Sequence, residues 1–174
     1  MVNKSREEML DKAFTLAKKY EMENGNCAQC VFSGVTEALC IENNDVFRAA
    51  TGFADGIGLT GEGHCGALSG GVMAIGCLFG RKRDEFARRG KMMKALLLSR
   101  QLQAKFIEKY GVCRCHDLQV KFYGKFFNLY EPAEMEAAVK AGVMETCSTL
   151  AGEAARMALE LIFEQQDKDA AKAL

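Results

Sequence analysis

The chain has no tryptophan, one proline and two histidines among 174 residues, and no convincing run of alternating β-branched residues. Little in it therefore favours a sheet, and helical periodicity dominates instead. No H-E-x-x-H, Walker loop or Ser/His/Asp grouping occurs, so the usual motifs of hydrolases and nucleotidases are missing. Net charge is also absent, because Lys+Arg and Asp+Glu both number 23. No overall field recruits nucleic acid or an acidic partner. The basic cluster "RKRDEFARRGK" reads as the solvated start of a helix. The start of the chain, "MVNKSREEMLDKAF", has no apolar core of an export signal, which leads to the expectation of a cytoplasmic protein. The longest run free of Asp, Glu, Lys and Arg, Gly63 to Gly80, holds six glycines and is short for a membrane span. No membrane insertion is expected.

What is present is an ordinary globular balance, 49% hydrophobic and 26% charged, in a length that suits one domain over residues 1–174. The expected fold is all-α: a single-domain bundle of about six to seven helices with a glycine-rich interhelical loop. Ser5 and Glu8 form a capping box, and Met9, Leu10, Ala13, Phe14, Leu16 and Ala17 give an apolar stripe. That predicts a helix from about Ser5 to Met22. Asn26 can cap a second helix from Cys27 to about Cys40. "NNDVFRAATGFADG" predicts a short third, and a fourth runs from about Cys65 to Phe79. Asp84 is read as the cap of a long fifth helix that stops at Gly111. Residues from Val112 to Tyr130 are the least regular, with room for one short helix. Pro132 opens the next helix, and the last runs from about Val143 to Asp167.

The connection "GIGLTGEG" and the following "HCG" give two overlapping G-x-G-x-x-G matches. A dinucleotide fingerprint needs a preceding strand, and "DVFRAATGFA" reads as helix, so that function is set aside. Gly56, Gly58, Gly61 and Gly63 suit a tight connection at positive φ. Gly66, Gly70, Gly71 and Gly76 lie inside the predicted helix, where each glycine costs roughly 1 kcal/mol against alanine. With Ala67, Ser69 and Ala74 they make a small-residue surface for close approach by a helix or a cofactor.

Eight cysteines carry the chemistry. In a reducing compartment cysteines are more often metal ligands or redox thiols than structural bridges. Cys27 and Cys65 lie near predicted helix starts, where unpaired N–H groups and the helix dipole favour a thiolate. Cys30 follows Cys27 in a C-x-x-C pair without the βαβ context of a thioredoxin, and reads as a small buried hydrophobe. Cys40 and Cys77 read as packed in apolar surroundings. "GVCRCHDL" is one residue short of a covalent haem site, which leaves Cys113, Cys115 and His116 as candidate ligands. Cys147 shares a helix face with Leu150, Ala151 and Ala154. Glu62 before His64 could form a proton-transfer pair, but a solvated loop carboxylate is the preferred reading of Glu62.

Together "NCAQC" at Asn26–Cys30, "CGALSG" at Cys65–Gly70, "GVCRCHDL" at Gly111–Leu118 and the late "CSTLAGEAARMALELI" resemble the small bacterial and archaeal redox-active proteins called C_GCAxxG_C_C. The likeness spans about Leu10 to Leu161. His64 departs from it by standing where the family commonly has another glycine. The resemblance implies an all-α fold and Cys-based redox chemistry, with its four motif cysteines falling on Cys27, Cys65, Cys115 and Cys147. Gly66, Gly70 and His64, beside Cys65, are this reading's candidates for contact with a cofactor. A related segment of split-Soret cytochromes c is associated with an iron–sulfur cluster.

Three functional readings follow. The first is a thiolate-bound iron–sulfur cluster for electron transfer or redox sensing, with the four cysteines as ligands. The second is a metal-free dithiol/disulfide oxidoreductase, with Cys65 as nucleophile and Cys27 or Cys115 resolving. The third is a structural zinc site in an interaction protein. A redox partner protein or a thiol substrate is implied without being identified, and a homodimer is compatible with the sequence.

Overall fold

Ser5 accepts from the Glu8 amide while the Glu8 carboxylate accepts from the Ser5 amide, so the expected capping box starts helix α1 (Arg6–Asn24). The structure is a computed structural model that describes residues 5–173. The first part of the stretch read for an export signal therefore lies outside the described residues. After α1 come α2 (Cys27–Ala38), α3 (Asn44–Ala49), α4 (Gly66–Phe79), α5 (Met93–Tyr110), α6 (Cys115–Tyr123), α7 (Pro132–Lys140) and α8 (Val143–Lys172). Among the described residues there is no strand, only an isolated antiparallel bridge between His64 and Arg114. The fold is all-α, and the irregular segment after Val112 supplies α6. No described helix is long and apolar enough to cross a membrane.

Three expectations need correction. Asp84 does not cap α5; it sits in a 3-10 turn, Arg83–Glu85, followed by a second, Arg89–Met92. Like charges crowd this stretch, and Phe86 is 63% exposed between the Arg81 and Arg83 guanidiniums. No apolar stripe is buried there to stabilise a longer helix. Helix α8 runs past Asp167 to Lys172, where Arg6–Asp167 and Lys94–Asp169 ion pairs tie it to neighbouring elements. Cys40 and Cys77 are exposed rather than packed, and Cys40 lies beyond α2 at φ 57°.

Helix α1 packs chiefly on α8 and α2, while α2 packs on α4 and α8. Phe32, Val35, Ile75, Leu102, Phe106, Leu159 and Ile162 fill the space between them and are almost wholly buried. Each contributes on the order of 1.5–3 kcal/mol. The helices approach so closely because glycines stand at their crossings. A Cβ on Gly34 would lie 2.7 Å from the Ala13 carbonyl oxygen, and one on Gly152 would lie 2.9 Å from the Phe14 ring. On Gly70 it would overlap the Ala28 carbonyl oxygen. At Gly70 the small surface of α4 is thus used by a neighbouring helix.

This gives a sharp contrast on one helix. Gly76 is exposed with nothing within 4 Å of an added Cβ. Gly76→Ala should stabilise the protein by up to about 1 kcal/mol. Gly70→Ala should destabilise it by about 1–3 kcal/mol despite the same gain in helix propensity. Urea unfolding of the two variants beside the parent checks both signs.

Candidate functional site

Between α3 and α4 the chain does something L-residues seldom do. Asp55, Gly56, Ile57, Gly58 and Leu59 all have positive φ, from 46° to 72°. For the three that are not glycine this costs roughly 1–2 kcal/mol each. Hydrogen bonds hold the turn: Gly58 N–H to Gly52 C=O at 2.9 Å, Gly61 N–H to Asp55 C=O at 2.8 Å and Gly63 N–H to Gly56 C=O at 2.9 Å. Its product is the placement of Asp55. The Asp55 amide hydrogen-bonds the Cys27 sulfur. The carboxylate Oδ1 accepts from Cys115 Sγ at 2.8 Å and from Gln119 Nε2 at 2.7 Å.

The next residues set Cys65. It is the N-cap of α4 and is buried. Its amide donates to the Cys113 carbonyl at 2.8 Å, while the Cys115 and His116 amides donate to Gly63 and Gly61 at 3.0 and 2.9 Å. These bonds, with the His64–Arg114 bridge, pin the start of α6 against the start of α4. Cys27 opens α2, and its thiol hydrogen-bonds that of Cys65. Gly66 makes room for this pair, because a Cβ there would overlap Cys27 Sγ and lie 2.7 Å from the Phe53 carbonyl oxygen. Cys147, early in α8, lies within electrostatic reach of Cys27 and Cys115. Cys27, Cys115 and Cys147, from three separate helices, thus lie within reach of Asp55, and Cys65 lies within reach of Cys27.

Burial dominates the electrostatics. The Cys27 thiol is pushed well above its ordinary range, first by its hydrogen bond to Cys65 and then by loss of water, partly offset by the Asp55 amide. Cys115 and Cys147 are raised chiefly by desolvation and then by neighbouring acids and thiols. At Cys27 the hydrogen bond to Cys65, desolvation and neighbouring anionic groups act against the thiolate that a helix start favours. None of the groups acting on these three sulfurs is basic. Two carboxylates add to this: Glu21 is 5% exposed, and Glu21 Oε2 and Asp55 Oδ2 are buried without a hydrogen-bond partner.

The remaining candidates fall elsewhere. The Nε2 of His64 lies 3.1 Å from Gln103 Nε2, which also contacts Cys113 Sγ at 3.7 Å. Glu62 pairs with Arg114 at 2.5 Å, and no bond to His64 forms. His116 contacts Asp117 and stacks on Phe126. Cys113 contributes its carbonyl to the Cys65 amide. Cys30 is buried as expected, but it also donates to the Gly25 carbonyl at 3.0 Å and contacts Glu21. Sequence reasoning missed Asp55, Gln119 and Glu21. Glu21 continues the buried Ala13, Ala17 row at steps of four, a signal that was available.

Among the described residues, no three His, Cys, Asp or Glu side chains are grouped to hold a single metal ion. A tetrahedral zinc would draw its sulfurs to about 2.3 Å from one centre. In donor chemistry the four thiols match the all-cysteine ligand set of an iron–sulfur cluster. Two carboxylate oxygens, Glu21 Oε2 and Asp55 Oδ2, are buried near these thiols without a hydrogen-bond partner.

Burial raises the Glu21 carboxyl to about 7. Between its ordinary value near 4.5 and about 7, the folded chain holds a proton that the unfolded chain has released, so stability falls as pH rises through this window. Above it, the loss amounts to about 3 kcal/mol. Glu21→Gln in the metal-free chain should be more stable than the parent at pH 8, with the difference fading below about pH 4.5. Denaturant titrations at several pH values test this.

No curated protein and no solved structure matches the chain. A family model described as "Putative redox-active protein (C_GCAxxG_C_C)" matches residues 25–161. That span takes in Cys27, Asp55, the Cys65–Gly70 motif, Cys115 and Cys147, and the chain belongs to the C_GCAxxG_C_C family.

Proposed function

We propose that Cys27, Cys65, Cys115 and Cys147 hold an iron–sulfur cluster that serves electron transfer or redox sensing. The observation that carries this reading is the gathering of four thiols and two buried carboxylates with no basic group acting on the Cys27, Cys115 and Cys147 thiols. Four thiolates here would form a concentrated buried anion, stable only with a polycation among them. A bound cluster would supply one-electron chemistry.

The chain's own groups serve that role in specific ways. The Asp55 amide donates to Cys27 and the Gln119 amide group approaches Cys115 Sγ at 3.8 Å. Hydrogen bonds to ligand sulfur stabilise added electron density and raise the potential. Asp55 Oδ1 holds the Cys115 proton until the sulfur is needed as a ligand. Burial of Cys65 and Cys115 excludes water.

The hydrogen-bonded Cys27–Cys65 pair favours a second reading, a dithiol that closes to a disulfide. Two protons and two electrons would then leave for a disulfide substrate, which is reduced to two thiols. Reactive thiols are accessible and of low pKa. The raised Cys27, Cys115 and Cys147 place this reading second.

Anaerobic purification with iron, sulfide and zinc analysis and visible absorption distinguishes the readings. Iron with sulfide is expected; zinc alone or no metal would overturn the proposal. Cys65→Ser should lose iron and sulfide while keeping its helical circular dichroism. The exposed Cys40→Ser and Cys77→Ser should keep both.

A further inference from the structure

Glu21 is the least expected group near the four thiols. It lies near the end of α1, yet it is 5% exposed and its Oε2 has no partner. Its hydrogen-bond contact is Cys30, a residue outside the four. Cys30 lines an open pocket of about 290 Å³ with Tyr20, Gly25, Gln29, Ser33 and Glu37. A water occupies about 30 Å³, so solvent reaches this wall of the site. On its inner side, Glu21 acts by charge on Cys27 of α2 and Cys147 of α8. The groups that act on it are Cys30 of α2 and Asp55 of the left-handed turn, and neither is basic. Glu21 is therefore one contact removed from a wet pocket, through Cys30, whose S–H can donate to Gly25 or to Glu21.

We propose that Glu21 takes up one proton from solvent, through the pocket beside Cys30, for each electron that the four-thiol site accepts, and returns it on reoxidation. This rests on the iron–sulfur reading above. The balance is simple. A one-electron donor is oxidised, the site gains the electron, and the Glu21 carboxylate becomes a carboxylic acid with a proton from water. The buried charge is then unchanged. The physical need is clear, because an electron added to an anion-rich interior interacts far more strongly there than in water. Its burial-raised value of about 7 makes Glu21 a fitting acceptor at neutral pH.

The test is the reduction potential of the anaerobically loaded protein, measured against pH with viologen mediators. Above about pH 7 the potential should fall by about 59 mV per pH unit, the one-electron equivalent of a tenfold change in proton activity. Glu21→Gln should flatten the profile, and Glu21→Asp, still a carboxylic acid, should restore a slope. Infrared difference spectra of the parent should gain a protonated-carboxyl band on reduction that Glu21→Gln lacks. That band keeps the proposal testable in the parent alone if Glu21→Gln fails to load. A parent that takes up no iron overturns the iron–sulfur reading and this inference together. A loaded parent with a flat profile, or a loaded Glu21→Gln with the parental slope, overturns the role of Glu21 alone.

Discussion

Everything at the thiol site depends on how closely α4 approaches α2. Gly66 leaves the space that Cys27 Sγ fills, and Gly70, one turn later on the same face, lies on the Ala28 carbonyl. Ala67, between them, is fully buried in the core. The C-G-A-x-x-G pattern is thus a contact surface with a thiol at its head. The two glycines set the distance between helices, and that distance sets the meeting of Cys65 with Cys27. A side chain at either position would move both sulfurs apart before any redox chemistry began.

A second constraint is electrostatic. The starts of α2, α4 and α6 carry cysteines, and a helix start favours an anion by about 0.3–1 kcal/mol, rising to about 2 in partly buried places. Burial of an ionised group costs several kcal/mol. At Cys27 and Cys115 the larger effect wins in the chain by itself, since both thiols are raised. The helix starts are better seen as aiming sulfur into one place. Asp55 and Gln119 then fix the direction of Cys115 through hydrogen bonds.

Much of this could be read from the sequence, for identifiable reasons. Helix caps and stops are local chemistry, so Ser5, Asn26, Gly111 and Pro132 marked their boundaries correctly. Asp84 misled because a cap residue begins a helix only if an apolar stripe follows within reach of the core, and Phe86 finds no core. Cys40 and Cys77 misled because apolar neighbours in sequence do not say which side of a helix faces solvent. Asp55 lay hidden for a different reason. An acid heading a glycine run looks like a loop residue, and nothing local reveals that positive φ at five successive residues turns it inward. Long-range pairings such as Cys65 with Cys113 are likewise invisible until the chain is folded.

The left-handed turn also bears on how the protein withstands proteolysis. Ile57, at its middle, is 54% exposed on a surface connection, the kind of place where proteases usually nick a chain. A protease must draw its substrate out as an extended L-peptide. Here that requires residues 55–59 to cross from positive to negative φ and the Gly58, Gly61 and Gly63 hydrogen bonds to break. The same opening releases Asp55 from Cys115 and unpins Cys65. Cleavage at Ile57 therefore requires this turn to open, and a nick there would report that the thiol site had come apart.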